Sequence, residues 1–322
     1  MTIRRRDFVR VSAAIGATAF WPSLRAKCDD AASKSPPLNP KLAFSESKDG
    51  LAFDTGELRG LLRARGASSG LAPVTAAACG TEIAGKYGLF SHYRLLDADA
   101  RYGVAGWDWI SQARLLEDGS AQAIWSADAQ HPFDMRADYR WSAPNSLDVV
   151  TTVTARKRLR RFEVFLASYF AGFDESLVYV KSCGGTEEQN RFVAVDQSRG
   201  DWQMFPRDGA AKIIRDGRWR RPPHPVDWAI GPELAAPLAM RRHAKSGLIG
   251  IVMAPAEDCF AVSSPYGKDL HGSLYLSLLG RDLEEGAIVR ARSRLVVARD
   301  VSENGVKALY AAYLKGLHDE QT

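Results

Sequence analysis

The sequence predicts an all-β fold, a large antiparallel β-sandwich with one short C-terminal helix. Three observations predict it. Short apolar or alternating runs recur along the chain, each bounded by Gly, Pro, Asn or Asp. No long 3.6-residue pattern interrupts them, and the one clear helical stripe comes at the end. Strands at such spacing pair with their neighbours through tight turns, which favours an antiparallel sandwich or barrel over a wound α/β sheet.

The chain opens with a segment that reads as an address rather than as structure. Arg5-Arg6-Asp7-Phe8-Val9-Arg10 precedes an apolar, charge-free run over 11–24, shorter than the ~20 residues that span a bilayer. Paired arginines, a Phe two places on and a short apolar core resemble a twin-arginine export signal. The expectation is a signal peptide over 1–26, a tether over 27–41 rich in Ala, Ser, Lys and Pro, and a single β-sandwich domain over 42–322. The export machinery is then a partner, the mature chain has no transmembrane segment, and the destination is the periplasm or beyond. Cys28 is a poor lipid anchor, because Arg25 and Lys27 stand where a lipoprotein signal has small residues.

Removing the leader changes the charge argument. The whole chain has 43 Lys and Arg against 38 Asp and Glu, a formal +5. Five arginines and one aspartate lie in 1–26, so the mature chain is at +1. That balance argues against nucleic-acid binding, which needs a retained basic face. The dense basic run Arg156-Lys157-Arg158 with Arg160-Arg161 reads as a solvated hairpin loop in preference to a phosphate patch.

The strand runs fall at 83–96, 121–127, 133–141, 147–155, 162–170, 177–181, 192–195, 202–205, 212–214, 248–254, 260–263, 273–278 and 289–298. Helical periodicity appears at 304–318, where Val306, Leu309, Tyr310, Tyr313 and Leu317 share one stripe. Hydrophobic residues make up 46% of the chain, enough for a full core.

Alternation sorts the polar side chains. From His271 to Leu278 the odd positions His271, Ser273, Tyr275 and Ser277 share one face and the even ones pack inward. In the 161–170 run, Phe162, Val164, Leu166, Ser168 and Phe170 read as core, leaving Glu163, Phe165 and Tyr169 opposite. A carboxylate beside two aromatics suits a sugar ring, and a plain solvent-facing strand has the same pattern.

Residues 202–228 concentrate unusual chemistry: Trp202, Phe205-Pro206-Arg207-Asp208, Asp216-Gly217-Arg218-Trp219 and His224-Pro225-Val226-Asp227-Trp228. Three tryptophans in connections need a reason. They either stack on the C–H faces of a sugar whose hydroxyls Asp, Arg and His hold, or they plug the open end of a sandwich. Arg101-Tyr102-Gly103 with Trp107-Asp108-Trp109 has the same character, although Trp-Asp-Trp also closes hairpins.

Other chemistries find less support. The six histidines, 92, 131, 224, 243, 271 and 318, show no HxH or HExxH spacing, so a divalent metal would need strand ends to gather its ligands. G-x-S-x-G is absent, and Cys183-Gly184-Gly185-Thr186 lacks the lysine of a phosphate loop. Cys79, Cys183 and Cys259 are isolated and odd in number, which argues against a disulfide framework.

From Lys86-Tyr87-Gly88-Leu89 through His131-Pro132-Phe133, Tyr139-Arg140-Trp141 and 147–154, then Phe162-Glu163-Val164 and Tyr169-Phe170, the strand order resembles the galactose-mutarotase-like β-supersandwich. That superfamily contains sugar 1-epimerases and domains of polysaccharide lyases and glycoside hydrolases. The resemblance implies a sugar site on the concave face of one sheet. It does not supply the epimerase histidine, because Ala167-Ser168 stands before Tyr169-Phe170.

The functional expectation is an exported carbohydrate-active enzyme working by acid/base chemistry as a lyase, hydrolase or epimerase. In it Asp208 or Glu163 acts as acid or base with His271 or His92 as proton-transfer partner. Arg207 and Arg94 hold polar groups of the ligand, and Trp202, Trp219, Trp228, Tyr169 and Tyr275 surround the ring. The alternative is a non-catalytic carbohydrate-binding or envelope protein that uses the same aromatics.

Overall fold

Three sheets, antiparallel but for one short pair, account for nearly all of the regular structure, in keeping with the all-β expectation. The structure is a computed structural model, and it describes residues 42–319 apart from 85, 183, 185, 187, 188, 210–212 and 214. They belong to one compact unit, Pro37–Thr322. The export signal, Cys28, Cys183 and most of the 212–214 run lie outside the described residues.

Strands are numbered in chain order. The first sheet holds β1 (Phe44–Ser47), β2 (Gly50–Asp54), β3 (Leu58–Arg63), β4 (Gly70–Ala76) and β5 (Thr81–Glu82), each paired with the next. The sequence reading had no strands here. Phe44-Ser45-Glu46-Ser47 buries a single side chain fully, too short a signal for periodicity to register. Phe44 and Phe53 from this sheet pack against Trp141, with Phe53 4.8 Å from it between ring centroids.

The second sheet has nine strands in the order β13 (Arg191–Ala194), β12 (Glu175–Val180), β16 (Leu234–His243), β17 (Leu248–Met253), β20 (Ile288–Arg299), β10 (Ser146–Ala155), β9 (Phe133–Ala143), β8 (Ala121–Trp125) and β7 (Gln112–Leu115). The third has six: β15 (Ala229–Ile230), β14 (Trp202–Pro206), β18 (Cys259–Pro265), β19 (Ser273–Leu283), β11 (Leu159–Tyr169) and β6 (Ser91–Leu96). The short β14–β15 pair is parallel and the others are antiparallel.

The main core lies between these two larger sheets. Leu274, Leu276 and Leu278 of β19 and Phe162, Val164 and Leu166 of β11 face Val149 and Val153 of β10 and Ala291 and Leu295 of β20 in one buried cluster. The alternation expected in both β11 and β19 holds. The helix α1 (Glu303–Asp319) lies over the other face of the nine-stranded sheet, with Val306 and Tyr313 buried against Met240, Ile251 and Val296. Among the described residues no helix is long and apolar enough to cross a membrane.

Two local readings are corrected. The basic run after β10 is no hairpin, since β10 and β11 belong to different sheets and the turn at 156–158 carries the chain across the sandwich. Its charges are matched there: Arg156 pairs with Asp134, Arg158 with Glu284 and Arg160 with Asp99. The 83–96 run is a strand only from Ser91, because Leu89 and Ala84 make isolated bridges to Leu71 and Phe170 instead of continuing a ladder.

Candidate functional site

The open face of the six-stranded sheet carries a second cluster, built from the residues that alternate away from the core: Phe165, Ala167 and Tyr169 on β11, Tyr275 on β19 and Met204 on β14. Tyr169 and Tyr275 form its floor and are 3% and 2% exposed. Partly exposed Tyr93, Trp202 and His271 and the more open Tyr87 stand around them.

His271 reaches this face because Asp269–Gly272 is a tight turn. The Asp269 carboxylate accepts the His271 backbone N–H at 2.8 Å. Gly272 holds a φ of +59°, and a Cβ there would sit 2.3 Å from the Phe170 carbonyl oxygen, so only glycine fits. The ring packs edge-on to Tyr169 at 4.9 Å and to Trp202 at 5.3 Å. Its Nδ1 is 2.9 Å from Ser273 Oγ and 3.1 Å from Tyr275 Oη. No described protein group hydrogen-bonds its Nε2.

Burial sets the protonation states. It lowers the pKa of His271, helped by Arg241 and opposed by Asp269, so the ring is neutral near pH 7. It also raises Tyr169 well above the usual phenol range, with Tyr275 adding to the rise. Both phenols therefore keep their protons. Neutral imidazole beside protonated phenols is an arrangement that can take a proton at one atom and deliver one at another.

Two glycines place the aromatic wall. Gly88, at φ +78°, would put a Cβ 1.9 Å from the Ser69 carbonyl oxygen, and its own carbonyl accepts the Tyr169 N–H at 2.9 Å. That contact seats Tyr87 5.2 Å from Tyr169. Gly106 opens the 3-10 turn Gly106–Asp108 against β6, where a Cβ would meet the His92 carbonyl at 2.2 Å. The turn inserts Trp107 between Tyr87 and Tyr93, at 5.5 and 4.8 Å and nearly parallel to both. Trp107-Asp108-Trp109 therefore builds the wall instead of closing a hairpin.

Tyr93 and Arg94 share this face although they are consecutive. The β6–β11 register runs Leu166 to His92 and then Phe165 to Arg94, skipping Tyr93. Such a bulge turns two neighbouring side chains the same way. Arg94 Nη2 donates to the His224 carbonyl at 2.9 Å and lies 3.4 Å from Tyr93 Oη.

The expected site residues divide. His271, Tyr169, Tyr275, Trp202 and Arg94 come together on the open face. Trp228 adjoins them, 6.1 Å from Trp202. Trp219 belongs to the plug reading instead: it is 2% exposed, with Arg94 over its ring and Phe165 4.6 Å away, so it has no face for a sugar.

Three expected acid/base groups stand elsewhere. His92 points into the core, hydrogen-bonded to Thr151 at 3.0 Å and packed on Trp125, and burial lowers its pKa to about 3. Glu163 is 0% exposed and paired with Arg218 at 3.1 Å, which is also held by Asp216 at 3.0 Å; burial raises its pKa against the pull of Arg218. It precedes Tyr169 by six residues on one strand, roughly 20 Å at ~3.3 Å per residue. Asp208 is exposed beyond β14's opposite end from Trp202, 2.9 Å from Arg207, whose Nη1 donates to the Ala256 carbonyl. Neither Arg207 nor Asp208 joins His271.

No protein-family model matches the chain, and no curated protein matches it. Solved structures do. An α-N-acetylgalactosaminidase from Bifidobacterium bifidum aligns over 82% of this chain and 39% of its own, with 11% identity and a TM-score of 0.50. A galactose mutarotase related enzyme from Lactobacillus acidophilus aligns over 78% of this chain and 98% of its own, at 9% identity and TM-score 0.46. An aldose epimerase homologue from C. elegans aligns over 80% and 98%, at 10% and 0.43. The likeness is one of fold alone.

Sequence reasoning missed Tyr87 and Tyr93. A bulge leaves no mark on alternation, and Tyr87 is placed by the Gly88 turn, which only long-range packing sets. Among the described residues no three of His, Cys, Asp and Glu gather as a metal site requires. Cys79 and Cys259 are free thiols, and burial pushes Cys259 up to about 12.

Proposed function

We propose that the chain is a carbohydrate-active enzyme that works by proton transfer on the open face of the six-stranded sheet, with His271 as the base and Tyr275 or Tyr169 as the acid. The observation that carries this reading is the contact of His271 Nδ1 with both Ser273 Oγ and Tyr275 Oη, at 2.9 and 3.1 Å. With the proton on Nδ1, donated to Ser273 Oγ, Nε2 keeps its lone pair and is the atom that accepts a proton from the substrate. A phenol held protonated by burial then returns a proton to a sugar oxygen. Such a pair fits lyase or epimerase chemistry better than hydrolysis by two carboxylates, which needs both acids ~5 to 9.5 Å apart on the sugar; Glu163 and Asp208 are not so placed.

Further support comes from the partly exposed aromatic rim of Tyr87, Trp202 and Trp228, whose flat surfaces suit sugar C–H faces. An enzyme acting on N-acetylgalactosaminides shares the fold. With the twin-arginine leader over 1–26, the reading puts this chemistry outside the cytoplasm.

The test is to incubate the purified mature protein with a panel of glycans, uronic-acid polymers and reducing sugars. Products are followed by mass spectrometry, by absorbance of unsaturated sugars and by anomer exchange in NMR. Turnover lost in His271→Asn is the expected result. Binding without any product across the panel would make the protein a carbohydrate-binding module.

A further inference from the structure

Carboxylates neutralise several of the sheltered guanidinium groups, whereas the fully buried Arg241 has none among the described residues and donates to the Ser273 and Gly267 carbonyls. Arg218 has Asp216 and Glu163, Arg292 has Asp258, and Arg294 has Asp148. Arg94 and Arg101 do not follow that pattern. Arg94 is 4% exposed, yet neither it nor Arg101 has a carboxylate within ion-pair distance among the described residues. The two charges are close enough to repel, and burial with that repulsion pushes Arg101 down to about 10.

Their donors are also incompletely used. Arg94 engages Nη2 alone, with the His224 carbonyl and Tyr93 Oη, and its buried Nε has no partner. Arg101 donates through Nη1 to the Pro223 carbonyl and through Nη2 to the Val104 carbonyl, and likewise leaves its buried Nε unpartnered. Two sheltered guanidinium groups with no carboxylate are costly even with Arg94 stacked over the Tyr93 and Trp219 rings. An incoming carboxylate offsets that cost, because it accepts two N–H bonds in the plane a guanidinium presents. The same Arg94 charge reaches Tyr169 and Tyr275, where it offsets a small part of the rise that burial causes, so the pair adjoins the proposed catalytic groups.

We propose that Arg94 and Arg101 form a subsite for the carboxylate of a uronic acid, so that the substrate is an acidic sugar or oligosaccharide. This rests on the carbohydrate reading above and names its substrate class. Tyr93 Oη accepts from Arg94 Nη2, and the bulge that puts Tyr93 and Arg94 on one face makes the subsite.

The experiment is calorimetric titration of the mature protein with galacturonate oligosaccharides, matched neutral galactose oligosaccharides and sulfated neutral ones, at low and high salt. The acidic ligand is expected to bind about tenfold or more tighter than the neutral one, with an advantage that shrinks as salt rises. Arg101→Gln, and Arg94→Lys, which keeps the charge and loses the fork, should cut acidic-sugar affinity about fivefold or more beyond any change for the neutral sugar. Equal binding of acidic and neutral sugars by the wild-type protein overturns the subsite and leaves the carbohydrate reading standing. Preference for the sulfated ligand over the carboxylate also overturns it. So does an acid preference that survives in both variants, with circular dichroism confirming that they fold; the wild-type comparison decides the question if they do not. Binding of no sugar at all removes the carbohydrate reading itself.

Discussion

The Tyr275 hydroxyl lies 3.1 Å from Nδ1 of His271, joined to it through a turn and the first residues of one strand. Ser273 sits between them in sequence and holds the same nitrogen. One short segment thus carries a candidate base, the group that orients it and a candidate acid.

Replacing His271 by Asn should lower turnover by about 100-fold or more while leaving the unfolding midpoint nearly unchanged, because the ring is partly exposed. Single-turnover kinetics with thermal denaturation checks this. The wild-type rate should persist below the ordinary histidine value of 6.5, since a lowered pKa keeps the ring neutral there, and should fall as the pH drops further. An acid limb centred above 6.5 would contradict the assignment.

His92 controls stability instead. Its folded pKa is about 3 against an ordinary 6.5, so below 6.5 the unfolded chain takes up a proton that the folded one refuses. The stability that this neutral ring supports is whole above pH 6.5. It drains as pH falls from 6.5 toward 3, at up to about 1.4 kcal/mol per pH unit. His92→Gln should flatten that slope in urea titrations run between pH 7 and 4.

Arg218 and Glu163 are both 0% exposed in side chain and 3.1 Å apart. Arg218→Met leaves Glu163 buried with no cation, and Asp216 with Arg161 alone, and should cost about 3–5 kcal/mol by chemical denaturation. A loss below 1 kcal/mol would mean that water reaches the pair.

Gly88→Ala puts a methyl 1.9 Å from the Ser69 carbonyl at a φ of +78°. The strain, about 1–3 kcal/mol, should move the loop that seats Tyr87 and weaken sugar binding together with stability. Unchanged affinity would separate Tyr87 from the site.

Replacing Arg5 and Arg6 together by Lys should trap the precursor uncleaved in the cytoplasm, which fractionation and N-terminal sequencing would reveal. Normal export of that variant would show that the leader uses another route.

The amino-acid sequence by itself determined the fold class, the C-terminal helix and the inward and outward faces of β11 and β19. Those follow from periods of 2 and 3.6 residues, which backbone geometry imposes locally. It also brought forward Tyr169, Tyr275, His271, Trp202 and Arg94, whose polar or aromatic character stands out against apolar neighbours. Tertiary structure alone decided that His92 belongs to the core and that Glu163 is sealed by Arg218. It also decided that Asp208 stands beyond the opposite end of β14 from Trp202, and that Trp219 is covered. Tyr93 and Arg94 share a face because of one unpaired residue, and Trp107 reaches the wall because Gly106 touches β6. Register, bulges and ion pairing join residues far apart in the chain, and no local pattern encodes them.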